Sequence, residues 1–349
     1  MRRLRRRCLV VVATGAALAT AAVVGPSAAG ATARLAAPSA SSQAGPAGPA
    51  NGSAAPVFPR PGGGLRAIHT YVDLFQSHEP YLLDTVRGGY RGLPFLNNLA
   101  LSPDGRTVAV EGLDGRIGVA ERHALLAAGE PAVRWTDLPV GSPGWWSPDG
   151  RALLVTTLDK ATRTFTAHRY DVGTEQIRST PIRLDCDTCT AGWAADSTRY
   201  VVRLRGPDPA IPDGPMQYLN PDGTPGPMVG ANGHIWSADA YSPSRRYVSV
   251  EPSRPFLGEP AEWQLPKVFD LRTGTVVRAV ATAWPLLGWY DDGHVVRVAP
   301  GTESAPVFEV LDIRSGEVTK RVPAPGLASC CVQLGSSAGL RGAVAELGF

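Results

Sequence analysis

Side chains able to do chemistry are few and scattered in this sequence. The six histidines form no H-E-x-x-H motif and no His-x-His pair, which are common zinc-binding arrangements. Residues Gly335 to Gly339 have the letters of a serine nucleophile elbow, but that motif requires a histidine later in the chain and none follows. No lysine follows a glycine as it does in a phosphate-binding loop. The sequence therefore predicts no catalytic residue, no metal and no cofactor.

The first 33 residues are typical of a signal peptide. Five arginines lie within residues 2–7, an apolar run extends from Cys8 to Val24, and small residues at Ala31 and Ala33 follow Pro26. We expect the mature chain to be secreted or otherwise extracytoplasmic, by either the general secretory or the twin-arginine route. The alternative is an uncleaved anchor, although an alanine-rich run of 17 residues is short for a stable membrane span.

Residues 34–65 are predicted to be a flexible linker, because 24 of the 31 residues from 34 to 64 are Ala, Pro, Gly or Ser. The net charge of +3 arises from the arginines of the signal peptide, and the rest of the chain has 29 basic against 31 acidic residues. A nucleic-acid binder needs a concentrated basic surface, so nucleic acid is not an expected partner.

The most informative pattern is an internal repeat. The turn sequence Ser-Pro-Asp-Gly-Arg begins at Ser102 and again at Ser147, and weaker copies begin at Ala194, Ser242 and Tyr290, which places the copies 45 to 48 residues apart. Each copy has an apolar strand before the turn, a β-rich strand after it, and a third strand that ends in an apolar-Asp pattern, as at Phe269-Asp270. Four strands per copy without helical periodicity predict the blade of a β-propeller.

These turns resemble those of the TolB-like, Pro-Asp-repeat propellers, which are related to the WD-repeat proteins. The resemblance covers residues 66–349, and its specific part is the apolar-Ser-Pro-Asp-Gly-Arg turn followed by an alternating strand. No Trp-Asp dipeptide occurs, which favours the TolB-like branch. The resemblance implies an all-β propeller.

The ends of the chain predict six four-stranded blades, of which the last is shared between the N- and C-terminal segments. Residues 331–349 provide two strands after the fifth copy, and residues 80–89 match the third-strand pattern that would complete the sixth blade. Such closure leaves no open sheet edge, so we expect a monomer.

Four cysteines of the expected mature chain form two close pairs, Cys186 with Cys189 and Cys330 with Cys331. An even number in an exported protein favours disulfides. The pairs fall in blades 3 and 6, on opposite sides of the ring, where bridged Cα atoms would normally be too far apart. Local pairing is predicted, with bridges across the axis as the alternative.

Candidate ligand-binding residues lie on the face opposite the Pro-Asp-Gly turns. The connections between second and third strands are long in blade 3 (206–216) and in blade 4 (252–266), and insertions on one face of a repeat ring often mark its recognition face. The ligand-binding candidates of this face are His234, Trp236, Arg254, Trp263 and Trp284. Aromatic and arginine side chains predict a non-catalytic module that binds a protein or glycan of the cell envelope.

Two other functions remain open at this point. One is a propeller enzyme of the lactonase or glycan-processing kind, with a metal on the axis, for which Asn97, Asn98 and His234 are the few candidates. The other is a Tol-type envelope partner, which rests on analogy alone.

Overall fold

The computed structural model describes residues 57–59, 65–72, 79–84, 90–127, 132–184, 186, 190–208, 211–235, 238–252, 265–282, 286–302, 306–323 and 330–336. The chain divides into two compact units, Met1–Gly45 and Pro46–Phe349, and all described residues belong to the second. The predicted signal peptide lies outside the described residues, as do Trp236, Arg254, Trp263, Trp284 and Cys189.

The described strands form six antiparallel sheets. The first sheet contains β1 (Val57–Pro59), β2 (Leu65–Val72), β3 (Pro80–Leu83) and β4 (Tyr90–Gly92). Blade 1 contains β5 (Leu96–Leu101), β6 (Thr107–Gly112), β7 (Ile117–Glu121) and β8 (Arg134–Trp135), with a short helix α1 (Arg122–Leu126) after β7. Blade 2 contains β9 (Ser142–Trp146), β10 (Ala152–Asp159), β11 (Thr164–Asp171) and β12 (Ile177–Ile182). Blade 3 contains β13 (Ala191–Trp193), β14 (Tyr200–Asp208), β15 (Ile211–Leu219) and β16 (Pro225–Asn232). Blade 4 contains a 3-10 turn (Ala238–Ala240), β17 (Tyr247–Val250), β18 (Lys267–Asp270) and β19 (Thr275–Ala279). Blade 5 contains β20 (Gly288–Asp291), β21 (His294–Val298), β22 (Val307–Asp312) and β23 (Val318–Pro323), and β24 (Cys330–Ser336) follows.

An all-β propeller with four-stranded blades is therefore confirmed. Five blades are built from contiguous segments, where the sequence predicted six blades in all. In blade 4 the first strand is reduced to two isolated bridges, His234 with Glu251 and Tyr241 with Val248. Among the described residues, no helix is long and apolar enough to cross a membrane.

The remaining sheet joins the two ends of the propeller region. Strand β24 pairs with β2 from Val72↔Cys330 to Arg66↔Ser336, and β2 continues into β3 and β4. The C-terminal segment was expected to supply two strands, but the described part supplies one, and Leu65–Val72 occupies the place of the second. Strand β1 also pairs with β2, although residues 57–59 lie inside the segment predicted to be a linker.

The residues before each turn form the core between blades. Trp146 is 1% exposed and its Nε1 donates a hydrogen bond to the carbonyl of Ala100 in blade 1, at 2.8 Å. Tyr241 and Trp289 repeat this contact, since each donates from its polar atom to a carbonyl of the preceding blade, at 2.6 and 2.8 Å. The sequence predicted a packing role for these aromatic positions, and the structure confirms it.

Candidate recognition face

The propeller has two chemically different ends. We call the end formed by the turns between first and second strands the turn end, and the opposite end, which contains the second-to-third-strand connections and the links between blades, the loop end. In blade 2 the Ser147 hydroxyl donates to Asp149 at 2.5 Å and accepts from the amide of Ala152 at 3.0 Å. Ser102 and Asp104 repeat this arrangement at 2.6 Å. The polar side chains of these turns thus serve the turns themselves.

The backbone of the turn end explains the Pro-Asp-Gly pattern. The fourth residue of the turn has a positive φ in four blades, at Gly105 (76°), Gly150 (72°), Ser197 (60°) and Arg245 (61°). Glycine adopts this conformation without strain, and the other two residues adopt it less readily. The turn geometry is therefore retained even where the sequence motif has weakened.

Neighbouring turns also contact one another. The Asp149 amide donates to Ser197 at 3.0 Å, and the Ser244 amide donates to Asp292 at 2.8 Å. The guanidinium of Arg245 donates to the carbonyl of Pro148, two blades away, at 3.0 Å. Side chains and backbone groups at the turn end are thus engaged in holding the blades together.

Each of blades 1 to 5 contains one equivalent residue towards the loop end, on the second strand or, in blade 4, directly after it. We call this the rim position. In each blade one second-strand residue pairs with the end of the first strand, as Val108 pairs with Leu101 in blade 1 and Val295 with Trp289 in blade 5. The rim residue is the third residue after it along the chain. The rim residues of blades 1 to 5 are Glu111, Thr156, Arg203, Glu251 and Val298. The repeat therefore conserves the position and varies its chemistry.

Two rim residues tie their blade to the link that enters the next blade. The Thr156 hydroxyl accepts a hydrogen bond from the amide of Ala191 at 3.0 Å, and the Glu251 carboxyl accepts one from the amide of Leu286 at 3.0 Å. Burial raises the pKa of Glu251 to about 8, while the bond from Leu286 opposes that rise. Burial thus favours the protonated form of this carboxyl.

His234 is the one predicted ligand-binding residue that the structure describes with its side chain. It is 7% exposed, and its backbone exchanges hydrogen bonds of 2.8 and 2.9 Å with Glu251. Burial, and next the charge of Arg203, lowers its pKa to about 3. His234 and Arg203 line a cavity of about 10 Å³, which is room for about one water molecule. The structure therefore places His234 beneath the surface of the loop end.

The axial candidates of the enzyme alternative are engaged within their own blade. The Asn97 amide group donates to the carbonyl of Gly112 at 3.1 Å, and the Asn98 side chain accepts from the amide of Leu99 at 2.9 Å. Among the described residues there is no group of three or more His, Cys, Asp or Glu side chains able to hold a metal ion.

The cysteines are described only in part. The sulfur of Cys186 lies 3.3 Å from the carbonyl oxygen of Leu184, and Cys186 packs against the core between blades 2 and 3. The side chains of Cys330 and Cys331, like all of Cys189, lie outside the description. The local pairing and the cross-axis alternative therefore both stay predictions.

Exposed apolar side chains are concentrated at the loop end. Of the five large hydrophobic side chains that are exposed among the described residues, three lie there: Leu113 (58%), Val140 (58%) and Leu158 (45%). Leu113 lies in the second-to-third-strand connection of blade 1, Leu158 near that of blade 2, and Val140 in the link between these blades. The other two, Met228 and Val276, lie on β16 and β19.

Blade 3 extends the loop end in an unexpected way. Its long connection was predicted as a loop over 206–216, but β14 and β15 continue as a hairpin, with Arg205 opposite Asp213 and Asp208 opposite Ile211. The blade 4 connection is described only at Glu251, Pro252 and residues 265–266.

Sequence reasoning missed the rim residues and the exposed apolar group. A signal for the rim was present, because counting nine residues from the first turn residue (Ser102, Ser147, Ala194, Ser242) reaches Glu111, Thr156, Arg203 and Glu251. No equivalent signal marks Leu113, Val140 and Leu158, since residue type alone does not distinguish an exposed leucine or valine from a buried one.

No protein-family model matches the chain, and no curated protein sequence matches it. Similar solved structures include the Pyrococcus horikoshii acylaminoacyl peptidase, 14% identical with a TM-score of 0.46 over 76% of this chain and 46% of that one. The propeller domain of the Trilobed protease from Pyrococcus furiosus is 14% identical, with a TM-score of 0.46 over 77% and 82% of the two chains. An oligogalacturonate lyase in complex with manganese is 14% identical, with a TM-score of 0.47 over 75% and 82%.

The chain thus spans about half the length of the peptidase (46%). At this level of identity and superposition, the similarities say nothing about the activity of this chain.

Proposed function

We propose that this protein is an exported, non-catalytic propeller that binds a protein or glycan of the cell envelope through its loop end. The observation that supports the proposal best is the exposed apolar group of Leu113, Val140 and Leu158. A contiguous exposed apolar surface often marks a site that a partner covers, and these three side chains lie at the same end of two neighbouring blades. The turn end offers no comparable surface among the described residues, because its turns bond to themselves and to one another.

The proposal includes a six-blade ring of TolB-like type. In it, β24 acts as the first strand of a sixth blade and β2, β3 and β4 act as the second, third and fourth. The pairing of β24 with β2 supports this closure, and the Ser-Pro-Asp-Gly turns support the TolB-like relationship.

The test is affinity capture with the full chain immobilised, from envelope extract and from culture fluid, with identification of the retained material. A variant with Leu113→Ser, Val140→Ser and Leu158→Ser should lose most of the capture, because it removes the exposed apolar side chains that the partner would cover. The matched control is Met228→Ser with Val276→Ser, which changes exposed apolar side chains away from the loop end and should capture as well as the wild type.

Equal capture by the two variants would remove the loop end as the recognition face. Retained material that is released in a chemically altered form would replace the binding module with the enzyme alternative.

A further inference from the structure

One blade departs from the repeat at a buried position. The residue before the rim position is valine in blades 1 to 4, namely Val110, Val155, Val202 and Val250, and each of them is 0 or 1% exposed. In blade 5 the equivalent residue is Arg297, whose side chain is 15% exposed. A position at which four copies bury valine is a packing position, so the arginine is a departure that the fold does not require.

The departure continues across the blade as a row of three charged residues. Arg297 on β21 pairs with Glu309 on β22, and Glu309 pairs with Arg321 on β23. The Arg297 guanidinium lies 2.7 Å from Glu309 Oε2, and the Nε of Arg321 lies 2.9 Å from Glu309 Oε1. The equivalent pairs on the third and fourth strands of blades 1 to 4 are Gly118–Trp135, His168–Ser179, Gln217–Met228 and Lys267–Ala279. None of them joins a carboxylate to an arginine.

This row of charged residues is not expected to stabilise the fold more than apolar residues would. The Glu309 side chain is 3% exposed, and removing two charges from water costs several kcal/mol per ion before their attraction offsets it. An apolar residue of similar size in this place is commonly neutral or stabilising. Departures of this kind from the pattern of a repeat are expected where a protein binds something.

The row lines a cavity of about 350 Å³ at the loop end of blade 5. Thr302, Val307 and Pro300 complete much of its wall. This volume lies within the range of small-molecule sites, and the mixture of apolar and polar walls is also typical of them.

The two arginines of the cavity differ in their exposure and in their hydrogen bonds. Each nitrogen of the Arg297 guanidinium has a partner. Its Nε and one terminal nitrogen contact Glu309, and the other terminal nitrogen donates to the carbonyl of Ala281 at 2.5 Å. Arg321 forms an ion pair with Glu309, with its Nε 2.9 Å from Glu309 Oε1, and its side chain is 69% exposed. Within the described residues its terminal nitrogens donate no hydrogen bond, and the ion pair holds the guanidinium beside the Glu309 carboxylate.

We propose that this cavity binds a carboxylate-bearing small molecule, of the size of one sugar acid or one acidic amino acid. Among the described residues that line the cavity, two guanidinium groups against one carboxylate leave one positive charge, which a single carboxylate of the ligand neutralises. The terminal nitrogens of Arg321 bond that carboxylate in the paired manner typical of arginine, and Arg297 and Glu309 are positioning residues. The inference deepens the proposed function, since it names a ligand chemistry at the same end of the propeller.

The experiment is calorimetric titration of the full chain with glucuronate and with glutamate, at constant ionic strength. Glucose and glutamine are the neutral counterparts, and inorganic phosphate tests for a general anion site. We expect saturable binding of at least one carboxylate, with a Kd on the order of 1 mM or below, and none of the neutral counterparts. The carboxylate that binds more tightly indicates whether the ligand is a sugar acid or an acidic amino acid.

The decisive variant is Arg321→Gln, which changes an exposed side chain and so leaves folding intact. It should weaken carboxylate binding by at least about tenfold. Its matched control, Arg272→Gln, makes the same change of charge in the turn after β18 and should bind as the wild type does. The inference is overturned by the absence of carboxylate binding, by tighter binding of phosphate, or by equal affinities of the wild type and Arg321→Gln.

The two proposals fail separately. Carboxylate binding that depends on Arg321, together with undiminished capture by the Leu113, Val140 and Leu158 variant, would overturn the apolar recognition face and keep the cavity. Loss of capture in that variant without carboxylate binding would do the reverse.

Discussion

The repeat keeps its backbone geometry and hydrogen bonds at the turn end of this propeller, but its side chains vary at the loop end. At the turn end, Ser102 and Ser147 make the same bonds with Asp104 and Asp149, and a positive φ persists at Ser197 although the glycine is gone. At the loop end, the rim position changes from hydroxyl to carboxylate between Thr156 and Glu251. The turn end is thus constrained by backbone geometry, whereas the rim position at the loop end varies in chemistry from blade to blade.

The largest effect should come from opening the ring. Deletion of residues 330–349 removes β24 and leaves β2 with an unpaired edge, so we expect loss of the cooperative thermal transition, with aggregation. Differential scanning calorimetry measures it. Deletion of residues 34–56, which precede β1, is the control and should leave Tm nearly unchanged. A truncated chain that melts like the full chain would contradict closure by β24.

The next largest effect should come from the aromatic residues close to the turn end. Trp146→Ala removes a fully buried side chain and its hydrogen bond to Ala100, and should lower the free energy of unfolding by about 3 to 5 kcal/mol. Trp135→Ala on the outer strand β8 is the matched comparison, and should cost less because Trp135 is only half-buried. Urea denaturation measures both. Equal losses would mean that the inner strands hold no special share of the stability.

A smaller effect should follow from the turn hydroxyls. Ser147→Ala removes the acceptor for the amide of Ala152, and we expect a loss of about 1 to 3 kcal/mol, because a buried donor is left without a partner. Ser244→Ala makes the same change at an exposed position of the blade 4 turn and should stay within about 0.5 kcal/mol. Urea denaturation of the two variants compares them, and an unaffected Ser147→Ala would show that the turn does not depend on its hydroxyl.

The smallest effect should be a pH dependence at the loop end. The pKa of Glu251 is raised from 4.5 to about 8 by burial, so folding favours its protonated form. This contribution to stability is fully present below pH 4.5, and it is lost as the pH rises through about 8. Because the side chain is partly exposed, we expect a loss on the order of 1 kcal/mol.

Thermal melting of the wild type and of Glu251→Gln between pH 5 and pH 9 measures this effect. The glutamine keeps an acceptor for the amide of Leu286 and does not titrate, so its Tm should decline less over this range. Parallel decline in both proteins would assign the pH dependence to other groups.

Sequence alone determined the blades, because a turn that needs Pro, Asp and Gly at fixed places leaves a periodic trace. The anchors at 102, 147, 194 and 290 predicted first strands that end near them, whereas at 242 the structure has only isolated bridges. The aromatic residues before the anchors were correctly assigned to the core. The predicted closure was correct in joining the two ends of the chain but wrong in its strands, since β2 lies where a second C-terminal strand was expected. Only Leu65 of this strand lay inside the predicted linker, and residues 66–72 were assigned to no blade strand from the sequence. Pairing with β24 and β3 makes Leu65–Val72 a strand.

Tertiary structure decided the candidate site. Aligning the second strands in the sequence shows that Arg297 stands where Val110, Val155 and Val202 stand in other blades. The sequence does not show which residues Arg297 contacts, because Glu309 and Arg321 lie 12 and 24 residues further on. Strand register brings these three residues together. Likewise, His234 was predicted to bind a ligand, whereas packing between blades places it beneath the surface. Short-range turn chemistry is encoded locally, while contacts across strands and between blades depend on how the whole ring closes.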